Sequence, residues 1–206
     1  MYIVLEGADG SGKTTICQQL AKKLKKMGYT VLLTREPGST IIGEKIRELV
    51  LEFKELEYLP ELFLFITDRC CHYEKMKKER MNHDIIISDR NFFSSFVYQG
   101  FGHKVDLDII AKVHDILERQ YFDTMYPDYL FYLYASPEEL RRRVESRSNM
   151  NKFDKKDEYF LKDILDGYEK VIEKYKRKIK ITKLENTEEP SIMADIIISL
   201  ISKDLI

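Results

Sequence analysis

The sequence predicts an α/β fold: a mostly parallel, five-stranded sheet covered on both faces by helices. Three observations carry this. Several short runs are apolar throughout, without the alternation of a strand that faces water on one side. These runs alternate along the chain with longer segments whose apolar residues recur at helical spacing. The 206 residues, 44% hydrophobic with 13 Tyr and 11 Phe, also suffice to bury a full core without disulfides or metals.

The elements follow in order. Residues 2–5 are an apolar run closed by Gly7 and read as a buried strand. Residues 14–27 place Ile16, Leu20, Leu24 and Met27 on one helical face and stop at Gly28. TVLLT at 30–34 is a second buried strand, and 41–51 and 59–78 are helices. DIIIS at 84–88 is a strand, 107–120 a helix and DYLFYLYA at 128–135 a strand. Pro137 opens a helix at a position that suits proline, and 159–175 is long and amphipathic. Residues 179–184 alternate apolar and basic side chains, as in a strand near an edge, and Pro190 opens a last helix running to Ile201. The polar stretch 147–157 (RSNMNKFDKKD) is expected to be a loop. With no internal repeat and no long linker, 1–206 is expected to be one domain.

Charge and cysteine usage exclude several functions. Thirty-four basic against 35 acidic residues leave a net charge of −1, so no global field supports broad nucleic-acid or membrane binding. Any anion site must be local. Cys17, Cys70 and Cys71 form no disulfide framework, which points to a reducing setting. Cys70-Cys71-His72 lacks a second ligand pair and does not read as a metal site. Apolar runs such as 196–198 fall far short of the ~20 residues of a membrane span. The short apolar start meets Glu6 too soon for a signal peptide. The expected location is cytoplasmic.

The chemistry begins at Gly7-Ala8-Asp9-Gly10-Ser11-Gly12-Lys13-Thr14, a match to G-x-x-x-x-G-K-[ST] between a strand and a helix. Glycines let the backbone curl so that successive N–H groups point at phosphate oxygens, and the following helix adds its positive dipole end. Lysine reaches the β/γ phosphates, and the Thr14 hydroxyl is expected to hold Mg²⁺. Residues 7–14 with Thr15 are the expected ATP-binding set. Asp89-Arg90 leaves another buried strand, as would an acidic residue near Mg²⁺ followed by a phosphate-grasping arginine. Parallel strands deliver their carboxyl ends to one edge, so both should sit beside the phosphates.

A guanine-nucleotide switch protein would need N-K-x-D directly after a buried strand. Asn151-Lys152-Phe153-Asp154 matches the letters but follows an Arg-rich helix, and no D-x-x-G follows the strand at 84–88. A motor or transporter ATPase would need a larger chain or partner subunits. A small-molecule kinase suits 206 residues and a basic, lid-like loop.

Further motifs narrow the choice: Thr34-Arg35-Glu36-Pro37-Gly38-Ser39-Thr40, Gly43-Glu44-Lys45-Ile46-Arg47, the stretch 65–69, and Asp89-Arg90 with Ser94-Ser95-Phe96-Val97-Tyr98-Gln99-Gly100. With the phosphate loop, these resemble the thymidylate kinases over nearly the whole chain; D-R-x-x-x-S-S-x-x-Y-Q-G is the most specific part. The resemblance implies the P-loop NTPase three-layer fold, with a five-stranded parallel sheet, flanking helices and a mobile lid at about 147–157. It implies a homodimer that phosphorylates dTMP with ATP and Mg²⁺. Two rivals stand beside it: a deoxynucleoside or other nucleotide kinase on the same scaffold, and a regulatory module that binds nucleotide without catalysis.

Spacing places Phe65 and Arg69 on one helical face, suited to stacking on a base and donating to its carbonyl. By the resemblance these roles are played against thymine. Ser95 and Gln99 then lie near the polar edge of the base, and Tyr98 lies beneath the sugar, where it excludes a 2′-hydroxyl. Arg47 and Arg90 contact the acceptor phosphate, Asp9 and Glu36 surround the sugar and the Mg²⁺ region, and Thr14 and Asp89 serve the metal. Gly10 stands where some members carry a phosphate-loop arginine, so this chain resembles those whose lid supplies it. Arg143 and Arg147, i and i+4, lead into the lid; with Lys13, Asp9 and Arg90 they are the expected catalytic set. Two departures stand out. The lid reads N-K-F-D at 151–154 where D-R-F-E is common, and Asn91 replaces the tyrosine usual after Asp-Arg.

Overall fold

The computed structural model describes residues 1–53, 55–146 and 158–205. The segment expected to be a lid, with Arg147 and the string at 151–154, lies outside the described residues. The strands are β1 (Tyr2–Glu6), β2 (Val31–Arg35), β3 (Ile85–Asp89), β4 (Tyr129–Tyr134) and β5 (Lys180–Glu185). They form one sheet in the order β2-β3-β1-β4-β5, with every pairing parallel. The helices are α1 (Lys13–Lys26), α2 (Ile41–Glu52), α3 (Tyr58–Glu79), α4 (Leu107–Met125), α5 (Pro137–Glu145), α6 (Glu158–Tyr175) and α7 (Pro190–Ile201).

The continuous apolar strands are explained by burial on both sides. Successive residues of β1 point to opposite faces. Ile3 and Leu5 join Ile16, Leu20 and Leu24 of α1 and Met193, Ile197 and Ile201 of α7 in one core layer. Tyr2 and Val4 join Leu62, Tyr73, Phe92, Phe93 and Tyr168 in the other. Each fully buried leucine here contributes about 2–3 kcal/mol by removal from water. The half-exposed β5 takes an edge, which accounts for its alternating sequence.

Two features add to the expected elements. Residues Ser95–Gly102 form a π-helix, with His103 N donating to Tyr98 O at 2.8 Å. α4 runs past residue 120 to Met125 through a kink at Tyr121 (φ −129°, ψ 26°). The π-helix lies against α6, where a Cβ on Gly167 would meet the Phe101 ring at 2.9 Å, so that contact needs glycine. The register brings the ends of three strands together: Asp89 lies beside Leu5 on one side and Arg35 on the other. Loops leaving these ends build the site.

Candidate active site

The loop after β1 turns through Gly10 (φ 86°) and Gly12 (φ 83°), in the left-handed region where a side chain is strained. α1 starts directly after Gly12 with no side-chain cap and no acidic residue in its first turn. By contrast, α2 is capped by Thr40 Oγ1 on Gly43 N at 3.0 Å, and α5 by Ser136 Oγ on Glu139 N at 3.2 Å. The first N–H groups of α1 therefore remain available to an anion. Lys13 is buried, and its Nζ donates to Gly7 O and Ala8 O at 2.9 Å and to Ser11 Oγ at 3.2 Å. Burial, then the nearby Arg90 charge, pulls its ammonium down to about 8. Thr14 Oγ1 donates to Asp89 Oδ2 at 2.5 Å. Thr15 is exposed in the first turn of α1.

Arg90 follows β3 with φ 78°, unusual for a side chain this large. Surrounding contacts hold it there. Its Nη2 meets Asp9 Oδ1 at 2.6 Å and the Tyr98 hydroxyl at 3.2 Å. Its Nη1 donates to Gly7 O and Ser94 Oγ at 3.1 Å and to the Tyr168 hydroxyl at 3.2 Å. The guanidinium also lies 4.9 Å from the Tyr98 ring centroid, and the Tyr98 hydroxyl donates to Asp9 Oδ2 at 3.2 Å. Beneath this group sits Glu6, fully buried, accepting from Asn91 N at 2.8 Å and from the Ser94 and Tyr168 hydroxyls at 2.9 Å. Burial raises the Glu6 carboxyl, and Arg90 partly offsets this.

A cavity opens beside this cluster. The structure places all of Asp9, Glu36, Arg47, Phe65, Arg69, Arg90, Ser95, Tyr98 and Gln99 on its walls. Arg69 is 3% exposed, so it is no surface residue. Its Nε donates to Glu36 Oε2 at 2.7 Å, its Nη1 to Ser95 Oγ at 2.8 Å and its Nη2 to Asn91 O at 3.3 Å. His114 completes the setting. Burial, with Arg69 second, pulls its imidazole down to about 3, so it is neutral at pH 7. Its Nδ1 lies 2.8 Å from Ile110 O and must carry the proton, leaving Nε2 to accept from Arg69 at 3.4 Å. His72 Nδ1 lies 2.7 Å from Glu36 Oε1 on the other side. Burial alone would raise the Glu36 carboxyl, but Arg69 and His72 outweigh it and hold the carboxyl low. Asp68 accepts from Gly38 N at 3.0 Å, and burial with the neighbouring Glu36 pushes it up to about 6. Arg47 donates to Pro37 O at 3.2 Å, and burial followed by the nearby Arg35 and Arg90 lowers its pKa.

Sequence spacing missed several participants. Glu6 and Tyr168 meet across 162 residues, and nothing in their local patterns marks them. Asn186, after β5, donates from Nδ2 to Ser11 O at 2.8 Å, bracing the phosphate loop. Arg143 is tied to Glu139 Oε1 at 2.5 Å and to Asn186 O at 3.0 Å, so α5 reaches the loop through Asn186. Asn91 is buried; its Oδ1 accepts from Phe93 N at 2.9 Å, shaping the turn after Arg90. Cys17, Cys70 and Cys71 are free thiols.

Comparison with known proteins gives consistent results. The family described as Thymidylate kinase matches residues 5–196. A thymidylate kinase of Mycoplasma capricolum subsp. capricolum is 33% identical over 186 residues, which span 88% of this chain and 85% of that protein. One from Prochlorococcus marinus is 36% identical over 189 residues, 86% of each chain. The crystal structure of thymidylate kinase from Ehrlichia chaffeensis has a TM-score of 0.74 at 28% identity, with 98% of each chain covered.

Proposed function

This chain belongs to the thymidylate kinase family, and from that premise we propose that it moves the γ-phosphoryl group of ATP onto the 5′-phosphate of dTMP, releasing dTDP and ADP. One observation carries the reading to this molecule. A single cavity has a half-buried aromatic ring and a buried guanidinium, Phe65 and Arg69, on its walls, while Asp9 and Arg90 join it to the phosphate loop. A base fits the first pair and a phosphate the second. Arg47 and Arg90 favour a nucleotide over a nucleoside, because burial, and after it the like charges of Arg35 and Arg90, weigh against the Arg47 cation, and a phosphate offsets both where a hydroxyl does not.

Phosphoryl transfer asks the protein for position and charge rather than covalent chemistry. On this reading Phe65 stacks on the base, Arg69, Ser95 and Gln99 read its edge, and Tyr98 supports the deoxyribose. Arg47 and Arg90 hold the acceptor phosphate, with Asp9 and Glu36 fixing Arg90 and Arg69. The loop residues 7–15 hold ATP, and Lys13 follows the transferring group. Arg143 anchors the lid, and Arg147 enters with the lid over about 147–157.

Mg²⁺ fits the donors present. Thr14 Oγ1 and Asp89 Oδ2 converge, both hard oxygens, and Mg²⁺ needs only one or two such protein ligands beside phosphates and water. When bound it would neutralise charge on the phosphate oxygens. We read the chain as one kinase domain that acts as a homodimer. Ile41 (86% exposed), Ile42 and Phe63 on the packed pair α2 and α3, with Phe53 at the C-cap of α2, support a covering second copy. No described helix is long and apolar enough to cross a membrane, and the free cysteines support a reducing, cytoplasmic setting. The test is ADP release from ATP and Mg²⁺. It should depend on added dTMP, and release that ignores dTMP would contradict the proposal.

A further inference from the structure

The base-reading end of the cavity is completed by a side chain that is not on its wall. Gln99 lines the cavity, and its Nε2 donates to Glu61 Oε1 at 2.9 Å. Glu61 stands in the first turn of α3 and is fully buried. His103 Nδ1 lies 3.2 Å from the same oxygen, and Tyr58 stacks on the His103 ring at 4.0 Å. A carboxylate accepts hydrogen bonds and has none to give. The Glu61 contact therefore takes the nitrogen of the Gln99 amide and leaves the carbonyl Oε1 as its other polar end. Arg69, on the same wall, can only donate.

We propose that Glu61 is a positioning residue for base choice: by fixing the direction of the Gln99 amide, it makes the pocket present one donor, Arg69, and one acceptor, Gln99 Oε1. This rests on the dTMP reading above. A 4-oxopyrimidine answers that pattern, with O4 accepting and N3–H donating. A 4-aminopyrimidine opposes it twice, setting its amino group against Arg69 and its bare N3 against Oε1. A site built on such bonds can reject the wrong partner by ~10⁴ or more, but only while the acceptor cannot turn into a donor. An unrestrained glutamine amide can flip; one held by a buried carboxylate cannot.

The test compares kcat/KM for dTMP and for 5-methyl-dCMP, which share sugar, phosphate and methyl group. Glu61→Gln keeps the shape but accepts either end of Gln99. It should lower the dTMP preference at least tenfold, mainly through KM, and leave the dTMP to dUMP ratio unchanged. Glu61→Asp, still acceptor-only, should keep most of the preference. An unchanged preference in folded Glu61→Gln, or equal losses in both variants, would assign Glu61 to packing. A second measurement needs no Glu61 variant. The Gln99 Nε2 protons of the wild-type protein, identified by their loss in Gln99→Leu, should be protected from exchange with and without dTMP. Rapid exchange overturns the proposal. A wild-type protein inactive on dTMP would instead overturn the thymidylate kinase reading.

Discussion

Glu36 Oε2 and Arg69 Nε lie 2.7 Å apart in the core, 33 residues distant in sequence, with both side chains under 5% exposed. The pair joins the end of β2 to α3 and fixes the guanidinium on the cavity wall. Removing one partner of a buried pair leaves the other charge without compensation, at about 3–5 kcal/mol. Glu36→Gln should therefore lower the thermal midpoint by several degrees and raise the KM for dTMP. The sign with pH follows from the low-held Glu36 carboxyl. Its stabilisation is present above the unfolded carboxylate pKa of about 4.3 and is lost as pH falls through the lower folded value. Denaturant unfolding of wild type and variant should converge on acidification. A constant gap down to the acid transition would show the pair to be inert.

Lys13→Ala should fold and lose at least ~10² in kcat, since one contact to a developing charge is worth ~3 kcal/mol. The free protein adds a pH signature, because the ammonium is drawn down to about 8. As pH rises through that value the charge is lost, so kcat/KM for ATP should fall with a one-proton slope. Bound phosphates favour the ammonium, so kcat should hold to higher pH. Pre-steady-state and steady-state rates against pH read both limbs. A flat kcat/KM profile from pH 7 to 9.5 would contradict the assignment.

Tyr98 offers two separable roles, since its ring lines the cavity while its hydroxyl joins Asp9 and Arg90. If ring bulk excludes the 2′-hydroxyl, Tyr98→Phe should keep the preference for dTMP over ribothymidine monophosphate, with a modest loss of rate from a loosened Arg90. Tyr98→Ala should lower that preference at least tenfold. An unchanged ratio in folded Tyr98→Ala would return the ring to core packing.

Arg143 is already bound to Glu139 and to Asn186 O. We propose that Arg147, outside the described residues, serves the transferring group, with Lys152 a weaker contributor because an ammonium makes no bidentate fork. Arg147→Ala should lower kcat tenfold to several hundredfold and KM little, below the ~10³–10⁵ of an arginine finger because other cations remain. Lys152→Ala should cost less, and Lys152→Arg should be neutral or faster. A crippled Lys152→Ala beside a near-normal Arg147→Ala would reverse the assignment.

The sheet was legible because a strand buried on both faces is apolar along its length: β4 is, and β1 and β3 are up to their polar carboxyl ends, Glu6 and Ser88-Asp89. The phosphate loop was legible because its glycines and lysine are demanded locally. The π-helix at Ser95–Gly102 was not. Its side-chain pattern also suits an α-helix, and tertiary contacts bear on the backbone there: a Cβ on Gly100 would meet Leu107 at 2.5 Å, and one on Gly102 would meet Phe160 at 2.7 Å. Nor could spacing find Glu6, Glu61, Tyr168 or Asn186. Each is a polar residue whose partner is supplied by topology, and Asn186 reaches Ser11 across 175 positions. The buried place of Arg69 on the cavity wall was not legible from spacing, because i, i+4 spacing with Phe65 gives a shared face and says nothing of burial.

On the proposed function one cavity reads a thymine base and a 5′-phosphate together. The most direct measurement is kcat/KM with ATP and Mg²⁺ for dTMP, dCMP, dGMP, UMP and thymidine, with the product identified by mass. Turnover of dTMP to dTDP should be at least ~10³ above that of dCMP and of thymidine, since each lacks one half of what the cavity would recognise. Thymidine turned over as well as dTMP, or nucleotide bound with no turnover of any acceptor, would contradict it.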